Sequence, residues 1–72
     1  MIQLTYDKEA DAAYIYFSNF PADRVEKTYS CDPIEVNGMI NLDFDGKGAL
    51  IGIEVMDASK KLSKEILDQA KK

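Results

Sequence analysis

At 72 residues, with one cysteine and no histidine, the chain has the size of one small domain, 1–72, and excludes both an internal disulfide and a Cys/His zinc site as its brace. Its 46% hydrophobic and 31% charged residues describe a folded domain rather than a disordered segment. A net charge of −4 argues against nucleic acid, whose phosphates attract basic surfaces, and no apolar run is long enough to span a bilayer.

Ile2 and Leu4 alternate with Gln3 and Thr5, which reads as a short half-buried strand. Asp7 is placed to cap a helical turn over residues 7–12, with Glu9 and Asp11 near its positive end. Tyr14 to Ser18 follows as a strand that is apolar on both sides. Ala13, Ile15 and Phe17 share one side, and Tyr14 and Tyr16 the other. That pattern belongs to a central strand covered on both faces. Residues 19–23, with Pro21, read as a loop.

Arg24 to Ser30 alternates with enough polar residues for an edge strand, and Lys27 would discourage edge-to-edge pairing. Asp32-Pro33 and Asn37-Gly38 are turn signals. Ile40, Leu42 and Phe44 then face one way, while Asn41, Asp43 and Asp45 face the other. Gly46-Lys47-Gly48 supplies a turn, and Ile51, Ile53 and Val55 form a second apolar face. This is a β-hairpin with one side on the core. Asp57 or Ser59 starts a C-terminal helix, with Ser63 as an alternative N-cap after one preliminary turn. Leu62, Ile66 and Ala70, with Leu67 beside them, give it one apolar stripe. The expected fold is α+β: a mainly antiparallel sheet of about four to five short strands, the helical turn, and the helix packed on one face. Tyr14 and Tyr16 would lie on the other face, where a second copy of the chain is the simplest cover.

The stretch YDKEADAAYIYFS and the stretch INLDFDGKGALIGIEVMDASKKL together resemble the YuzE-like family of small bacterial proteins, a domain of unknown function. The resemblance covers nearly the whole chain. It is most specific at Tyr6-Asp7, at Glu9 to Ala12, at Leu50 to Glu54 and at Asp57 to Ser59, and loosest over residues 20–37. It implies a compact α+β domain and a setting among small operon-encoded proteins, some beside toxin-like genes. It implies no reaction and no catalytic residue.

Four candidate sites follow from residue types. Asp43, Asp45, Gly48 and Glu54 match positions 1, 3, 6 and 12 of a calcium loop, but Lys47 stands where a ligand oxygen is required. The flanks also alternate with period two where such a loop needs helices, so Asp43, Asp45 and Glu54 are weak metal candidates. Asp7, Glu9 and Asp11 would share a face only in an extended chain, and a helical turn rotates Glu9 away. Cys31 sits beside Asp32, which raises rather than lowers a thiol pKa. Tyr14, Tyr16 and Tyr29 suit a protein interface, where tyrosine buries area at low entropic cost. An acidic chain is a poor platform for stacking bases.

The leading reading is a cytoplasmic, non-enzymatic interaction module. It would use Tyr14, Tyr16 and Tyr29 to form a homo-oligomer or to dock a small protein, with no cofactor, nucleic acid or membrane involved; the operon setting that the resemblance implies would make it an antitoxin-like neutraliser. The alternative is a divalent-metal or carboxylate-based hydrolase built on the 43–54 hairpin. The absence of histidine removes the commonest general base, and the sequence leans away from an enzyme.

Overall fold

A computed structural model of the chain describes residues 2–17 and 24–70. Five strands form one antiparallel sheet: β1 (Gln3–Asp7), β2 (Ala12–Tyr16), β3 (Lys27–Ser30), β4 (Ile40–Phe44) and β5 (Leu50–Met56). Their order is β1-β2-β5-β4-β3. The last strand in sequence is thus the middle strand in space. It pairs with β4 through the expected hairpin and with β2 through a long-range ladder. Two short helices follow, α1 (Ala58–Lys61) and α2 (Lys64–Asp68).

The 40–55 hairpin forms as its pattern predicts. Asp45 accepts from the backbone N–H groups of Lys47 and Ala49, both at 2.9 Å, and Gly48 supplies a left-handed φ of 86° that favours glycine. The register shifts between Asp43 and Phe44, so Asp43 opposes Gly52 while Phe44 opposes Leu50. The edge strand is shorter than its pattern, starting at Lys27 rather than Arg24, and it lies at the sheet edge as expected. The expected 19–23 loop lies outside the described residues.

Two expected elements differ. The 7–12 helical turn is instead the tip of a β-hairpin. β1 runs through Asp7 and β2 starts at Ala12, leaving a turn over 8–11. Asp7 does act as a cap, accepting from Glu9 N at 3.0 Å and Ala10 N at 3.3 Å. The turn closes, however, through Asp11 N to Lys8 O, with Asp11 left-handed at φ 50°. Pairing of Asp7 with Ala12 and of Tyr6 with Ala13 satisfies more backbone groups than one isolated helical turn. The single C-terminal helix is likewise two. Leu62 is extended, and Ser63 caps α2 by accepting from Ile66 N at 3.2 Å. The predicted stripe therefore breaks. Leu62 and Leu67 pack against the core while Ile66 is exposed.

The core is small. Among the described residues its buried apolar members are Ala13, Val55 and Ala58, ringed by half-buried Leu4, Tyr6, Ile40, Ile53, Leu62 and Leu67. Among the same described residues no large side chain is fully buried.

Candidate functional site

Directly opposed residues of an antiparallel ladder project to the same side, so the register sorts the sheet into two unlike faces. One face carries the row Tyr6, Ala13, Val55 and Ile40, then the row Leu4, Ile15, Ile53, Leu42 and Tyr29. The first row meets Ala58, Leu62 and Leu67. Phe44 and Lys27 continue the face beyond the second row. The other face carries Thr5, Tyr14, Glu54, Asn41 and Ser30 in one row and Gln3, Tyr16, Gly52, Asp43 and Thr28 in the next. Of the predicted interface residues, Tyr14 and Tyr16 are therefore together and Tyr29 is on the opposite side. Two strands, β5 and β4, lie between the first residue of the pattern and the third, and only the register decides which side each one takes.

The polar face is organised around Tyr14. Its ring crosses β5 over Gly52, and its hydroxyl donates to Asp43 Oδ2 on β4 at 2.5 Å. Asp43 Oδ1 accepts from the Thr28 hydroxyl on β3 at 2.6 Å. One carboxylate thus ties together three side chains from three strands. Beside it, Asn41 Nδ2 donates to Glu54 Oε1 at 2.8 Å. Tyr16 packs on Tyr14 with ring centroids 4.5 Å apart and planes inclined by 49°, a tilted arrangement that aromatic pairs favour. Burial, then the hydrogen bond to Asp43 and its charge, push the Tyr14 phenol well above its ordinary value.

A second node sits at the helix end. Asp11 Oδ1 accepts from the Tyr6 hydroxyl at 2.7 Å and from Ser59 N at 3.0 Å, while Oδ2 accepts from the Ser59 hydroxyl at 2.7 Å. The Asp11 carbonyl accepts from Ala58 N at 2.9 Å. Asp57 holds the N-cap position of α1 but makes no side-chain cap. Asp11, from the far hairpin, does that work instead. The donors Tyr6 and Ser59 hold the Asp11 carboxyl below the usual carboxylate range, and Asp11 in turn raises the Tyr6 phenol. The signal for this node is an acid that itself takes the left-handed position at a hairpin tip, in a stretch whose charges and alanines also suit a helical turn.

Two of the twelve-residue loop's carboxylates point to different partners and the third caps its own turn. Asp43 is bound to Tyr14 and Thr28, Glu54 to Asn41, and Asp45 to the turn N–H groups of Ala49 and Lys47, which lower its pKa. Asp7 and Asp11 are likewise engaged separately. Among the described residues no three His, Cys, Asp or Glu side chains converge as ligands. Cys31 is a half-buried free thiol.

These contacts carry a spectroscopic prediction. In an alkaline titration followed by tyrosinate absorbance, part of the signal from the four tyrosines should appear late. Tyr14→Phe and Tyr6→Phe should each remove a share of that late component. For a phenol whose folded pKa is raised, the associated stability is full below the unfolded value, near 10, and is lost as the pH climbs through the folded one. Late titration that survives both substitutions would disprove the assignment.

No described helix is long and apolar enough to cross a membrane. Comparison with known families matches residues 3–59 to one described as a protein of unknown function (DUF2283). Neither a curated protein nor a solved structure matches the chain.

Proposed function

The chain belongs to the DUF2283 family of proteins of unknown function, and from that premise we propose that it is a non-enzymatic interaction module that associates with itself or docks a small partner protein. One observation carries this reading. Among the described residues six large apolar side chains are exposed, Ile2, Tyr29, Ile34, Met39, Leu50 and Ile66, while the buried apolar members are only Ala13, Val55 and Ala58. That is much apolar surface in water around a small core, and a partner's surface would cover part of it.

The carboxylate alternative lacks such support, because Asp43, Asp45 and Glu54 are each held by their own partners. A cytoplasmic location, kinship with the YuzE-like proteins and an antitoxin-like role toward a small toxin-like neighbour are part of the same proposal. They rest on the resemblance of the two quoted stretches. Sedimentation velocity from low to high micromolar concentration tests the reading. A mass above 8.1 kDa that rises with concentration is expected. A monomer at every concentration that also retains no neighbouring gene product on co-expression would overturn it.

A further inference from the structure

Resting on the self-association reading, we infer that the occupant is a second copy of this chain and that it seats on the apolar sheet face, across the row Leu4, Ile15, Ile53, Leu42 and Tyr29. The two faces differ in charge as well as polarity. The strand positions of the polar face hold Asp7, Glu54 and Asp43 with no lysine or arginine, whereas those of the apolar face hold no carboxylate and a single cation, Lys27, at one corner. A two-fold contact sets the same patch against itself. On the polar face that would bring like carboxylates together in a chain already at −4, at a cost in repulsion and desolvation. On the apolar face it sets aliphatic side chains against aliphatic side chains.

The helical segment leaves room for this. Ala58, Leu62 and Leu67 meet the row of Ala13 and Val55, and half-buried Ile15 and Leu42 lie outside that cluster. Leu4 and Ile53 of the row also touch the core cluster, and among the described residues the row crosses all five strands to end on Tyr29, 54% exposed on the edge strand. Two copies stacked through it form a sandwich with sheets about 10 Å apart, each copy's helical end flanking the other's open end. Tyr14 and Tyr16 remain on the outer surface of such a dimer.

Sedimentation equilibrium on the full chain and on three variants decides the matter, with far-UV circular dichroism reporting whether each folds. Leu42→Glu places a charge at the middle of the row, and Tyr29→Glu at its exposed end. Each should weaken dimerisation by about 100-fold or more. Tyr16→Glu, on the other face, should change it by less than about 5-fold. Tyr29→Glu carries the test alone if Leu42→Glu does not fold, because Tyr29 contributes no buried core. A wild-type dimer that Tyr16→Glu dissociates, and that Tyr29→Glu and Leu42→Glu leave intact, overturns the choice of face while keeping self-association. A wild-type monomer overturns both.

Discussion

Gly52→Ala should destabilise the protein by about 2 kcal/mol, lowering its Tm by roughly 10 °C. Adding a methyl to a strand glycine ordinarily helps, because alanine loses less backbone entropy on folding. The opposite sign is expected at this position. Gly52 is buried in the middle strand, and a β-carbon on it would stand 2.6 Å from Cε1 and Cζ of Tyr14. The ring would have to lift, breaking the Tyr14–Asp43 bond and leaving a partly buried carboxylate with Thr28 alone. The test is a double-mutant cycle by urea denaturation. Tyr14→Ala costs stability by itself, but in its background Gly52→Ala should be neutral or favourable. Tyr14→Phe, which keeps the ring, should not relieve the clash. Additive effects of the two alanine substitutions would show that the ring and the glycine are independent.

Loss of the Asp11 carboxylate should be felt nearly as strongly. Asp11→Ala removes the acceptor for Tyr6, for the Ser59 hydroxyl and for Ser59 N at once, so the first hairpin no longer holds the start of α1. Alanine is also poorly suited to the φ of 50° at this site. A fall in Tm of roughly 5–10 °C is expected. Asp11→Asn keeps an acceptor and tolerates the left-handed conformation, so it should recover part of the loss. The pH dependence separates charge from shape. The folded pKa of Asp11 is lowered, so its contribution is full above the unfolded carboxylate value, near 3.9, and is lost as the pH falls through the folded one. Thermal melts between pH 2 and 5 should therefore show a smaller acid-side drop for Asp11→Asn than for the native chain. Equal slopes would place the acid sensitivity elsewhere.

Both residues escaped sequence reading for the same reason. Gly52 is one glycine in an otherwise regular strand, and its importance comes from Tyr14, a neighbour 38 positions away in sequence but adjacent in the β2–β5 ladder. Asp11 was visible as one of three alternating acids, and the capping role of Asp7 was visible as well. Its partner Ser59 lies 48 residues off, and no local pattern links them. The trio Tyr14, Tyr16 and Tyr29 divides between two faces for a related reason. Strand phase is readable within each segment, but which phase of β3 matches which phase of β2 depends on three successive ladders, through β5 and β4.

What the sequence determined by itself is local. Period-two alternation over 40–55 with Gly46-Lys47-Gly48 between its halves specifies a hairpin. The two-sided apolar pattern of residues 13–17 specifies an interior strand, and the polar Arg24–Ser30 segment specifies an edge, because each follows from which side chains water will accept. Tertiary structure alone decided that β5 enters between β2 and β4, that residues 7–12 close a hairpin rather than a helical turn, and that the C-terminal segment breaks at Leu62. Those outcomes depend on competition among backbone partners far apart in the chain. A segment takes the pairing that satisfies most of its N–H and C=O groups while covering its apolar side, and in a chain with so small a core the supply of partners, more than local preference, settles which pairing that is.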